Sequence, residues 1–213
     1  MRIHLPFLFA ALALAAPAAA HEVWVERDGD GPARIYLGEP AQPVLAGGDP
    51  ELHRLTEPLV FLSDPAQPAA TVRRTTHLEA ALAKPGDVRV RDDSIFEPWK
   101  SDEGLTGAIF YARAGRSETT AKLDLELVPV SAGADEFTVQ FRGQPLVGAD
   151  ITVITPGHWQ KTFEADANGR IEVPDMGKGR YILGVSHDED AAGTVAGKPV
   201  ARIQHISTLT FVR

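Results

Sequence analysis

The chain of 213 residues contains no cysteine. That excludes disulfides, thiolate metal ligands, c-type haem attachment, a lipid-modified cysteine anchor and a cysteine nucleophile. Methionine is nearly absent as well: of two, only Met176 lies beyond residue 20. Soft sulfur ligation of Cu(I) therefore has little to draw on, and any metal would be held by nitrogen and oxygen. There is no run of four basic residues, and the formal net charge is −8. Such a chain is a poor partner for nucleic acid or an anionic membrane surface. Beyond residue 20 no apolar stretch approaches the ~18–20 residues a membrane helix needs, so no membrane insertion of the mature chain is expected. The G-x-S-x-G elbow, a glycine-rich phosphate loop and H-E-x-x-H are all missing, which argues against hydrolytic catalysis and for a protein that is not an enzyme.

What is present starts at the N-terminus. Arg2 followed by the apolar run Leu5 to Ala16 and the small-residue site Ala18-Ala19-Ala20 reads as a secretory signal peptide over residues 1–20. Cleavage after Ala20 makes His21 the first residue of a mature chain of 193 residues and places it in the periplasm. Losing Arg2 takes the 21 basic residues to 20 against 29 acidic ones, a net of −9. An N-terminal histidine joins a free α-amine to an imidazole in one residue, and the pair can chelate a transition metal.

The rest of the pattern is strand and turn. Asp87-Val88-Arg89-Val90-Arg91 alternates with period two, Arg34 to Leu37 and Leu59 to Leu62 are short apolar runs closed by Gly or Pro, and Ala108 to Tyr111 and Lys122 to Leu127 follow as further strands. Only His77 to Ala83 has a helix-favouring composition, for about two turns. Val128 to Ala134 is small and flexible and marks a boundary. Beyond it, strands recur every 8–12 residues, with Asn168-Gly169 a strong two-residue hairpin signal. The expectation is an all-β chain of two β-sandwich domains, residues 21–130 and 135–213.

Six histidines lie beyond residue 20: His21, His53, His77, His158, His187 and His205. If the last two strands pair antiparallel with Leu183 opposite Leu209, then Tyr181 meets Phe211, Val185 meets Ser207 and His187 meets His205, all on one face. The acidic loop Asp188-Glu189-Asp190 begins beside them. A metal site could take His187 and His205 with a carboxylate, or with the His21 chelate if the N-terminus reaches over. The alternative is two ordinary polar residues marking where the buried part of the hairpin ends. His158-Trp159 belongs to the opposite end of these strands, and His53 and His77 have no visible partner.

The post-signal motif His21-Glu22-Val23-Trp24-Val25-Glu26, the stretch Arg34 to Glu39 and the C-terminal half together resemble a bacterial family of exported β-rich proteins. These are labelled periplasmic components of nickel or cobalt uptake. Gly143 to Ala149 with Ile151-Thr152-Val153, then Ala165 to Arg170 and Gly179-Arg180-Tyr181, are similar to a transthyretin-like or carboxypeptidase-regulatory-like sandwich. The resemblance implies association with metal uptake in the cell envelope and names no ligands. The expected function is a periplasmic accessory protein that binds or delivers a transition-metal ion, whether Ni, Co, Cu, Zn or Fe, with His21, His187 and His205 as metal ligands and an inner- or outer-membrane metal transporter as partner. Two alternatives stand beside it. One is an interaction module that docks to an envelope transporter or receptor without binding metal. The other is a copper oxidoreductase built on an N-terminal histidine brace, which needs a second imidazole facing His21.

Overall fold

A computed structural model describes residues 21–102 and 104–213. The expected signal peptide, residues 1–20, lies outside them. The described chain is almost all β, as its period-two patterning predicts. The largest sheet has the strand order β13 (Gln160–Glu164), β12 (Asp150–Ile154), β15 (Arg180–Glu189), β18 (Arg202–Val212), β8 (Gly104–Ala114), β6 (Val88–Asp92) and β3 (Leu59–Phe61), with β7 (Trp99–Ser101) pairing to one end of β8. A second sheet has the order β1 (Glu22–Arg27), β2 (Ala33–Gly38), β5 (Leu78–Ala80), β4 (Thr71–Arg73). A third joins β9 (Leu125–Pro129), β10 (Glu136–Phe141), β11 (Gln144–Pro145) and β14 (Arg170–Glu172). β16 (Gly193–Val195) and β17 (Lys198–Val200) form a small hairpin.

Alternation along the strands sorts the side chains of the large sheet onto two faces. One face carries Ile109, Tyr111, Leu183, Val185, Leu209 and Phe211, packed with Leu125, Leu127, Phe137 and Val139 of the third sheet. The other carries Val88, Val90, Ala108, Phe110 and Ala112, packed with Val23, Val25, Ile35 and Leu78 of the second. Both faces are therefore buried, and the large sheet lies between the other two.

The expected split into residues 21–130 and 135–213 does not coincide with a split of the sheets. β8 and β18, from opposite halves, pair in parallel from Arg202↔Thr106 to Thr210↔Ala114. Val128 to Ala134 includes the turn between β9 and β10, which pair with each other. Two local expectations also change. His77 to Ala83 contains the short strand β5 in place of a helix, because Leu78 and Ala80 are both buried and pair with Ile35 and Ala33; burial at period two overrides the helix-favouring composition. Asn168-Gly169 does turn the chain, with Gly169 at φ +70°, but its flanking strands do not form a hairpin. β13 pairs with β12 and β14 with β10.

A buried ion network ties the large sheet to β9. Arg89 and Arg113 sit directly opposite each other on β6 and β8, and both are fully buried. Glu126 lies between them, with Oε1 accepting from Arg89 Nε and Arg113 Nη1, each at 2.8 Å. Asp87 pairs with Arg113 at 2.5 Å and Glu118 with Arg89 at 2.9 Å. Like charges directly opposite on neighbouring strands are unfavourable alone; the shared carboxylate makes the arrangement tenable.

Candidate functional site

The start of β1 is built on Asp49. This residue caps the 3-10 helix Pro50–Arg54, its Oδ1 accepting from the Glu51 N–H at 2.8 Å. The same oxygen lies 3.1 Å from His21 Nε2. An ionised carboxylate only accepts, so Nε2 carries the hydrogen and donates, and Nδ1 has no hydrogen bond among the described residues. Room for this contact comes from Gly38, which pairs with Glu22 across β1 and β2. A Cβ at Gly38 would meet Asp49 Oδ2 at 3.0 Å, and φ there is +149°. The His21 side chain is 30% exposed, with the Phe96 ring beside it at 6.5 Å between ring centres and the two planes 70° apart. A carboxylate fixed by its own cap, holding one imidazole nitrogen so that the other is presented, is the arrangement that orients metal-binding histidines.

Beside this point Trp24 and Tyr36, cross-strand partners, stack at 5.0 Å with planes 11° apart. His77 packs on Tyr36 at 5.2 Å. Two cavities of about 320 and 260 Å³ open next to Trp24, and both are also lined by Gln42 and Val44 of the loop over residues 39–49. His158, at φ +60°, lines the smaller one with Glu26 and Arg180. Glu22 projects the other way, over Gly184, where a Cβ would meet its carboxylate oxygens at 3.2 and 3.3 Å. Burial pushes the Glu22 carboxyl up to about 7.

The C-terminal hairpin has the expected register: Leu183 pairs with Leu209, Tyr181 with Phe211, Val185 with Ser207 and His187 with His205. The two imidazoles lie 6.4 Å apart between ring centres. His205 is fully buried, and both its ring nitrogens are engaged. Tyr111 Oη lies 3.0 Å from Nδ1 and Glu189 Oε2 3.2 Å from Nε2. The consistent assignment has the tyrosine donating to Nδ1 and Nε2 donating to the carboxylate. Burial holds the His205 imidazole below its usual pKa, against the opposing pull of Glu189; burial also pushes the Tyr111 phenol up. Arg142 grips Glu189 through two bonds of 2.5 and 2.8 Å and stacks over Phe141. Phe141 in turn covers His187 at 4.5 Å and His205 at 4.9 Å. His205 thus has the environment of a satisfied core histidine, with neither nitrogen free for a metal.

The three expected ligands are not brought together. His187 and His205 lie on the face of the large sheet that meets β10. β1 crosses the opposite face, where Thr208 Oγ1 donates to the Val23 carbonyl at 2.7 Å. The large sheet therefore separates His21 from the hairpin pair. Among the described residues no group of three or more His, Cys, Asp or Glu side chains is arranged to hold a metal, and no helix is long and apolar enough to cross a membrane.

Sequence reasoning missed Asp49, Tyr111 and Phe141 as the partners of these histidines, whereas Glu189 belongs to the acidic loop expected beside His187 and His205. Asp49-Pro50-Glu51 carries a helix-start signature that could have singled out Asp49 as a cap. Nothing local pointed to its contact with a histidine 28 residues away. No family model, curated protein or solved structure matches the chain.

Proposed function

We propose that this is an exported accessory protein that binds a transition-metal ion through an N-terminal chelate at His21, for delivery during metal uptake. The observation that carries the reading is the His21–Asp49 contact at 3.1 Å. Asp49 holds Nε2, and Nδ1 is the ring nitrogen nearer the main chain, positioned by covalent structure to close a chelate with the α-amine that cleavage after Ala20 would free. Such a site needs no third side chain. A nitrogen pair with open positions suits Ni²⁺, Co²⁺, Cu²⁺ or Zn²⁺. An incomplete protein ligand set also favours passing the ion to a transporter over storing it. Affinity falls as pH drops, because protons compete for both nitrogens.

In this reading His187 and His205 brace the hairpin and are not ligands. A copper brace gains no support, since the ring beside His21 is Phe96 and not a second imidazole. The test is direct. Protein exported from a bacterial host is sequenced at its N-terminus by mass spectrometry, then loaded with Ni²⁺ or Cu²⁺ beside a His21→Ala variant. A mature start at His21 and loss of metal in the variant support the proposal. A start elsewhere, or metal retained by the variant, refutes it.

A further inference from the structure

We infer that the larger cavity beside Trp24 is a binding site for a small organic ammonium ion, a function separate from metal binding at His21. The cavity measures about 320 Å³ and lies between the aromatic pair Trp24–Tyr36 and the loop over residues 39–49. This is the lower end of the range in which small molecules bind, and its make-up is the usual one of apolar walls with a few polar groups. Leu37, Val44 and Leu45 supply hydrocarbon walls, with Val44 and Leu45 about half exposed at the rim. Trp24 and Tyr36 are only 4% and 8% exposed, so the inner wall is preformed.

The charged groups of the lining have one sign. Glu39 and Asp49 both line the cavity, and no lysine, arginine or histidine does. Asp49 uses Oδ1 for the Glu51 N–H and His21 Nε2, and its Oδ2 has no hydrogen bond among the described residues. The Glu39 carboxylate has neither a hydrogen bond nor an ion pair there. In the neighbouring ion cluster, by contrast, Glu26 and Asp28 are both matched by Arg34 and Arg180. Glu39, left without a cation, and the unbonded Oδ2 of Asp49, whose Oδ1 is taken by His21, lie beside an apolar wall and select a ligand with a positive head and a hydrocarbon body. An anion would be repelled, and a neutral hydrocarbon would leave Glu39 without a counter-charge.

Tryptophan fluorescence tests this with the mature protein in the presence of a chelator, so that the outcome does not depend on the metal reading. The chain has three tryptophans, and Trp99 and Trp159 are exposed. The double variant W99F/W159F therefore leaves Trp24, at the cavity wall, as the only reporter. Phenethylammonium, phenethyl alcohol and 3-phenylpropionate share one hydrocarbon body and differ in charge. The expected result is saturable binding of the ammonium, about tenfold weaker binding of the alcohol and none of the carboxylate, with Glu39→Gln weakening the ammonium about fivefold, the order of a partly exposed ion pair. Equal binding of ammonium and alcohol would overturn the charge selection. No saturation below about 10 mM ammonium, an affinity under roughly 3 kcal/mol, would overturn the site. Neither result bears on metal binding at His21.

Discussion

Replacing Glu126 by glutamine removes one charge and one acceptor oxygen while keeping the shape of the side chain. Four donors converge on this carboxylate. Arg89 Nε and Arg113 Nη1 reach Oε1, and the Lys122 and Leu123 N–H groups reach Oε2 at 2.6 and 2.9 Å. A glutamine offers one oxygen and one NH₂, so in either orientation two of the four donors face another donor. Leaving a buried donor unsatisfied costs about 1–3 kcal/mol, which puts two of them at roughly 2–6 kcal/mol. The charge balance narrows the range. The arginines keep Asp87 and Glu118 as partners, so the variant does not bury an isolated cation, and the loss should fall near the lower middle, about 3–4 kcal/mol. That is a large part of the roughly 5–15 kcal/mol that holds a domain together. Urea unfolding followed by far-UV circular dichroism measures it, provided the slope of the transition is unchanged. A loss below about 1 kcal/mol would mean that solvent or side-chain rearrangement satisfies those donors, and the reasoning from burial would fail.

Three further outcomes follow from the same structure. Glu22→Gln should match the native protein near pH 4.5 and exceed it by about 1–2 kcal/mol at pH 8. The sign follows because a carboxyl raised from 4.5 to about 7 binds a proton more tightly when folded, so native stability falls as pH rises between those values; equal urea midpoints at pH 8 would refute it. His205 should titrate below the ordinary 6.5 in the folded protein, so its contribution to stability is complete above about 6.5 and is lost as pH falls toward its folded pKa. Because Glu22 acts with the opposite sign over an overlapping range, the readout must be site-specific, an NMR titration of the His205 ring, and a midpoint at or above 6.5 contradicts the burial argument. Gly107→Ala should destabilise by about 1–3 kcal/mol through overpacking, since its Cβ would lie 2.6 Å from Val195 Cβ in the β16–β17 hairpin; an unchanged thermal midpoint would show that this hairpin yields freely.

The parts of the fold legible in the sequence were those set by short-range alternation. The His187–His205 register could be read because Tyr181, Leu183 and Val185 must share a face with Leu209 and Phe211, and a slip by one residue would expose them all. The parallel pairing of β8 with β18 had no such signal, since it joins residues about a hundred positions apart through no turn. Alternation within one strand by itself puts charged residues such as Arg89 and Glu126 on a solvent face. Their burial depends on a third sheet covering them, which periodicity within one strand cannot reveal. The same limit applied at the candidate site. His21 stood out by its place after the small-residue run, but the groups that decide what it can do arrive from elsewhere: Asp49 from a helix cap, Phe96 from the loop after β6, and a whole sheet between it and His205.

The most direct test of the account is calorimetric titration of protein beginning at His21 with Ni²⁺, Co²⁺, Zn²⁺, Cu²⁺ and ferric iron. The same protein with one extra N-terminal residue and an Asp49→Ala variant run beside it. The account predicts binding by the protein that starts at His21, its loss on adding the extra residue, and roughly 10–100-fold weakening without Asp49, the usual effect of removing the group that orients a ligating histidine. Equal binding by the extended protein, or no binding tighter than about 10 μM, near 7 kcal/mol, would contradict it.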